Sequence, residues 1–274
     1  LEFRRVLFRS MEFSKQGMGK YLRKPTSVAV SNVDNWSESL LLVPHEVIRG
    51  DMGLLENALF NDEVWNLGSY AWKAERFFEC WNLFMRKFIE GYVWGFSEVV
   101  YPWYMAKVDV SAVFDVEHLK TYFAKVAAIS EMEEKFGDDV DGSTQALRDA
   151  FTELKDDLFE FMHGLESHLP KFTAENFNEE EKDAMFTSYF NGIPQTDESL
   201  EVIVSRVLEC HYDWASPAGR AKFLLTIPDE MKKKLFEESL PKYFRLNRAR
   251  FSSLMENVDV APEITMEEKP VWEL

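Results

Sequence analysis

The chain has 274 residues, 46% of them hydrophobic and 15% aromatic, with a formal net charge of −17. That length supports one large or two small domains with a sizeable core. Twelve glycines and ten prolines are few for a turn-rich β protein, and the negative charge repels phosphate backbones and anionic lipid, so neither nucleic acid nor a membrane is an expected partner.

Cys80 and Cys210 lie far apart in helical patterns. They form no disulfide framework and suit a reducing, cytoplasmic setting. No apolar run approaches the roughly 20 residues that span a bilayer. The cluster LLLV at 40–43 is too short and too far in for a secretion signal.

Residues 1–10, LEFRRVLFRS, are basic, lack a starting Met and precede Met11. They resemble the translation of a sequencing-adapter or cloning scar, and the natural start is expected at Met11. Residues 11–37 are polar and aperiodic and read as a flexible lead-in. A first helix is predicted from about Pro44 to Phe60, with Pro44 in its first turn, where the missing N–H costs nothing. His45, Ile48, Met52, Leu55 and Leu59 share its apolar stripe.

A long second helix is predicted from about Ser69, as N-cap, to Lys107. Its ideal stripe is Phe77, Cys80 or Trp81, Phe84, Phe88, Gly91, Gly95, Glu98 and Pro102. Pro102 is expected to kink or end it. The third helix spans about Asp115 to Phe136, with His118, Leu119, Tyr122, Val126 and Ile129 inward. GDDVDG at 137–142 breaks the pattern. A fourth runs from about Ser143 to Leu169 and ends at Pro170; its stripe includes Leu147, Phe151, Leu158, Leu165 and Leu169. Four successive amphipathic helices predict an all-α fold, an up-down-up-down four-helix bundle over 38–190.

Shorter helices follow. Thr173 is a candidate cap for the first of them and Asp197 for the next; three more segments each begin near a proline. Residues 191–258 thus read as an accessory helical region and 259–274 as a loose acidic tail. The Gly91-x-x-x-Gly95 pair means either a small cavity or a close helix approach. KYFRLNRAR at 242–250 is a basic face that either packs on the acidic bundle or marks a partner contact. There is no Gly-rich phosphate loop, G-x-S-x-G elbow or CxxC pair, and an enzyme acting on an organic substrate is not expected.

These residues resemble the hemerythrin-like, or HHE cation-binding, family. His45, Glu46, Ile48 and Arg49 match its "His-Glu-x-Ile-Arg" start, and Asp115, Glu117, His118 and Leu119 match the start of its third helix. GYVWGFSEVVYPW at 91–103 and FEFMHGLESHLPKF at 159–172 correspond to its second- and fourth-helix ligand segments. The acidic run after LPKFT is also family-like. The resemblance covers roughly 40–190. It implies a four-helix bundle holding a di-iron centre, with functions that include oxygen binding, iron sensing and repair of iron centres.

A di-iron centre needs about five to seven N and O donors aimed inward from facing helices. His45 and His118 lie within about 40° of their stripe centres at 100° per residue. Glu98 is the one inward carboxylate of the second helix, which lacks the family's His-x-x-x-Glu. On the fourth helix His163 lies about 140° and Glu166 about 80° from the stripe centre, and His163-x-x-x-Ser167 breaks the pattern. The expected metal ligands are therefore His45, His118 and Glu98, joined by His163 and Glu166 if a kink near Gly164 or Pro170 turns them inward. The bound group would be iron, mono- or dinuclear, with dioxygen as its candidate ligand. The alternative is a metal-free bundle kept as a protein-interaction or regulatory module, its partner unidentified.

Overall fold

Apolar residues at helical spacing set the long helices of the described residues, and no strand occurs among them. The computed structural model describes residues 34–137, 139–192, 200–243 and 249–259. Residues 1–33, the predicted Asp197 cap and the tail beyond 259 lie outside them.

Helix α1 (Trp36–Phe60) starts well before the predicted position. Asn35 caps it, its side chain accepting from the Ser37 N–H at 3.1 Å. Pro44 therefore stands in the helix interior, where it removes the bond to the Leu40 carbonyl at a cost of about 3 kcal/mol. Leu40, Leu41, Val43 and Val47 are all buried. Each contributes roughly 1.5–3 kcal/mol on burial, so the apolar run carries the helix through the proline.

Helix α2 (72–105) is a composite. α-Helical pieces Trp72–Cys80, Arg86–Gly95 and Tyr101–Met105 alternate with π-helical turns at Trp81–Met85 and Phe96–Val100. Its buried stripe steps through Phe77, Trp81, Phe84, Phe88, Tyr92, Phe96, Val100 and Tyr104. An ideal α-helix overshoots the seven turns between the first and last of these by about 180°. Two π turns, each taking in one extra residue of about 100°, absorb the excess. The predicted stripe assumed ideal phase, which is why it drifts from Phe88 onto Gly91, Gly95 and Glu98.

Helix α3 (Val116–Glu131) is capped by Asp115, whose carboxylate accepts from the His118 N–H at 2.9 Å. A short 3-10 turn, Glu133–Lys135, follows it. Helix α4 (Val140–Asn176) is capped by Asp139 and runs through Pro170 instead of ending there. The turn after the proline is anchored by Thr173, which is fully buried. Thr173 Oγ1 donates to the Leu169 carbonyl at 2.8 Å and meets the Tyr104 hydroxyl at 2.5 Å. Thr173 thus does not cap the next helix. Asn178 and Glu181 do so reciprocally: the Glu181 N–H donates to Asn178 Oδ1 and the Asn178 N–H to Glu181 Oε2.

Helix α5 spans Glu179–Gly192 and α6 covers 200–214, a π turn Leu200–Val204 running into Ser205–Trp214. Helix α7 is Pro217–Thr226, capped by Ser216. Helix α8 covers 229–242, with a π turn at Leu235–Ser239, and α9 is Ala249–Glu256. Helices α1 and α4 pack along each other, as do α2 with α3 and α3 with α4, around one core. Helix α9 packs on the start of α2, where Arg250 pairs with Glu79 at 3.3 Å; one member of the basic 242–250 stretch therefore packs intramolecularly.

Helix α6 lies on α1 and α2 and shares a second apolar cluster, including Phe190, Val204, Phe223 and Leu235, with α5, α7 and α8. Two devices join this layer to the first four helices. A Cβ on Gly91 would collide with the Ile203 side chain, and one on Gly95 with the Tyr189 ring; the pair is a close helix approach. Arg206 of α6 donates to both oxygens of Asp51 on α1, at 2.9 and 2.8 Å, and to Glu209 at 2.7 Å. All three are buried.

Candidate functional site

The residue four before Arg49 is His45, and one helical turn separates them, so both side chains reach the same neighbour on α4. That neighbour is Glu166. Its Oε1 accepts from His45 Nδ1 at 2.7 Å and from Arg49 at 2.8 Å, and its Oε2 accepts from Arg49 at 2.9 Å. Arg49 also donates to Glu46 at 2.8 Å. On its other side, His45 Nε2 meets the Tyr92 hydroxyl of α2 at 2.9 Å. The Phe96 ring closes the pocket, 6.0 Å from the imidazole and 4.3 Å from Tyr92.

His45 is wholly buried. Burial lowers its pKa against the opposing pull of Glu166, so the ring is neutral at pH 7. An ionised carboxylate only accepts, so Nδ1 carries the proton and Nε2 accepts from Tyr92. Burial pushes the Glu166 carboxyl up, but the hydrogen bonds and charges of His45 and Arg49 outweigh it and hold the group at about 2. Burial raises the Tyr92 phenol well above its usual range, with Tyr122 and Glu166 adding to it.

His118 sits in a parallel arrangement. Its Nε2 meets the hydroxyl of Tyr122, one turn on, at 3.1 Å, and Asp157 Oδ1 of α4 at 3.2 Å. Lys125 also holds Asp157, at 2.5 Å. Burial raises that carboxyl, and Lys125 and then His118 bring it below the ordinary carboxylate range. Unlike His45, His118 is over a third exposed in its side chain. Each histidine thus has a tyrosine and an α4 carboxylate as partners.

Of the five predicted ligands, the structure brings His45 and Glu166 together and leaves the other three elsewhere. Glu98, expected inward, is exposed and accepts from the Ser97 hydroxyl at 3.2 Å; the π turns of α2 rotate it out. His163 is exposed, off the buried stripe of α4 that runs through Leu158, Met162, Leu165 and Leu169. His118 meets Asp157, not Glu98. Among the described residues, no three His, Cys, Asp or Glu side chains form a group that could hold a metal ion. No described helix is long and apolar enough to cross a membrane.

Tyr92, Tyr122, Arg49 and Asp157 were not predicted as site residues. Arg49 and Tyr122 carry a readable signal, each lying four residues after a histidine on one helix face. Asp157 and Tyr92 depend on tertiary packing. No family model matches the chain, and no curated protein or solved structure matches it either.

Proposed function

We propose that the first four helices are an up-down-up-down bundle of hemerythrin-like type that works without a metal, as an interaction or regulatory module. The observation that carries this reading is the occupancy of His45. A metal-bound imidazole presents a free nitrogen lone pair to the ion. Here Nδ1–H is committed to Glu166 and the Nε2 lone pair to Tyr92. Glu166 is in turn held at both oxygens by Arg49. A cation entering there would displace a phenol and a guanidinium from a buried network, and among the described residues no three His, Cys, Asp or Glu side chains form a group that could hold it.

A metal-free core of this kind fixes helix positions, since a fully satisfied buried network specifies one packing. The charge of −17 favours a partner with a basic surface, by long-range attraction that weakens with salt. The test loads the untagged full chain with ferrous iron in air, then measures bound iron and the ultraviolet absorption of an oxo-bridged centre. The expected result is less than about a tenth of an iron per chain and no such band. One or more irons per chain, lost on His45→Ala, would overturn the proposal.

A further inference from the structure

The link between α1 and α2, the start of α2, the turn after α3 and the start of α4 line an open cleft of about 850 Å³ at one end of the first four helices. That is several times the roughly 150 Å³ of a cavity that holds a benzene ring. It lies within the roughly 300–1,000 Å³ of ordinary binding clefts. Buried aromatic rings form its floor: Trp65, Phe78 and Phe136. They brace one another edge-on, Trp65 and Phe136 at 6.1 Å and Phe78 and Phe136 at 5.6 Å. Trp65 Nε1 also donates to Thr144 Oγ1 at 3.3 Å. Val140, which is 43% exposed, adds apolar surface open to water.

Charge is spread unevenly around this floor. Asp62, Glu75, Glu133 and Asp141 line the cleft and are exposed, and Arg148 is the one cation among the described lining residues. Arg148 is already engaged: it donates to the Leu59 carbonyl at 3.0 and 2.8 Å and to Asp62 at 3.1 Å. Among the described residues, Glu75, Glu133 and Asp141 have no cationic partner, and Glu133 accepts from the neutral Asn82 side chain at 2.8 Å. Burial lifts the Glu133 carboxyl above its ordinary range. Asn82 opposes the rise, and the charges of Glu75, Glu79 and Glu134 add to it. Glu75 and Asp141 stand in the first turns of α2 and α4, where a carboxylate also offsets the positive helix end. That role does not account for the open aromatic floor.

Arginine answers both halves of such a cleft. Its guanidinium grips carboxylates through paired hydrogen bonds and stacks on aromatic faces, and its methylene stem covers apolar surface. A lysine ammonium offers a point charge alone. We propose that this cleft docks an arginine-bearing segment of a partner protein, with guanidinium groups on Glu75, Glu133 and Asp141 and apolar side chains on the floor of Trp65, Phe78 and Phe136. The inference rests on the interaction-module reading and locates that module's contact surface. Iron loading and peptide binding are separate measurements, so either can fail without the other.

The test titrates the full chain into a short fluorescein-labelled peptide of alternating arginine and leucine, followed by anisotropy. The same peptide with serine for leucine should bind about tenfold more weakly, and the one with lysine for arginine about threefold more weakly. A triple variant, Glu75→Gln with Glu133→Gln and Asp141→Asn, should weaken binding at least about tenfold. A control triple, Glu153→Gln with Glu230→Gln and Glu238→Gln, removes the same charge from exposed positions outside the cleft and should change affinity much less. Val140→Arg keeps every carboxylate and places a cation at an exposed position in the cleft; it should also weaken binding about tenfold. The peptide comparisons use the unaltered chain, so they decide the matter even if a variant misfolds. No binding, equal affinity for the arginine and lysine peptides, or equal loss in the two triples would each overturn the proposal. So would a cleft triple that melts earlier but binds as before, or a dimer in sedimentation that Val140→Arg dissociates.

Discussion

Replacing Glu166 by Gln isolates the charge at the centre of the buried network. The carboxylate accepts three hydrogen bonds, from His45 and twice from Arg49. Its carboxyl is held at about 2 against an ordinary 4.5. At about 1.4 kcal/mol per pH unit, that difference corresponds to about 3 kcal/mol of stability at pH 7. Its side chain is 18% exposed, and water weakens the charge interactions somewhat, so a loss of about 2–3 kcal/mol is expected for Glu166→Gln. The sign follows from the depressed value. The contribution is complete above about pH 4.5 and is lost as pH falls toward 2, with less than about half left at pH 3. Urea unfolding followed by tryptophan fluorescence at pH 7 and at pH 3 measures it, with a midpoint about 1 M lower for the variant at pH 7. Coincident midpoints at pH 7, or a gap that widens in acid, would refute the reasoning.

Two further substitutions probe the seam between the layers. Gly95→Ala drives a methyl group into the Tyr189 ring and should cost about 1–3 kcal/mol, read as a lower melting temperature and faster proteolysis of α6 and α7. Gly164→Ala on α4 meets nothing within 4 Å and should instead gain up to about 1 kcal/mol; the same sign for both variants would rule out steric contact as the cause. Asp51→Asn removes the charge of one carboxylate held by the buried Arg206 and leaves that of Glu209; it should cost about 3 kcal/mol by thermal melting, much of it recovered when Arg206→Met is added. A double variant no more stable than the single one would show that the pair is not coupled.

What the sequence made legible depended on how regular each helix is. The stripes of α3 and α4 follow ideal 3.6-residue periodicity, so Tyr122, Val126, Leu158 and Leu165 are buried as expected. Pro44 and Pro170, each inside a long helix, mislead. Local rules make Pro44 a start and Pro170 a stop, since they carry no information about the apolar burial and the Thr173–Tyr104 anchor that sustain the helix through them. The π turns of α2 have no local signature here, and a phase error of half a turn placed Glu98 inside and missed Tyr92. At the site, the inward placement of His45 was readable from its stripe. Glu166 lies beside its helix's stripe, and a kink was expected to be needed to bring it in. His45 and Arg49 reach it from across the α1–α4 interface instead.

The seam formed by Gly91, Gly95 and the Arg206 clamp has a consequence for anyone trimming this chain. A fragment stopped at residue 190 would keep the whole span that suggested the family, and so looks like the natural piece to express. It would also remove Arg206 from beside Asp51, and would open Trp94, Phe186 and Phe190, now packed on the cluster of α6, α7 and α8, to water. Such a fragment should be sticky and poorly soluble. The sensible unit for expression is the full set of helices through α9.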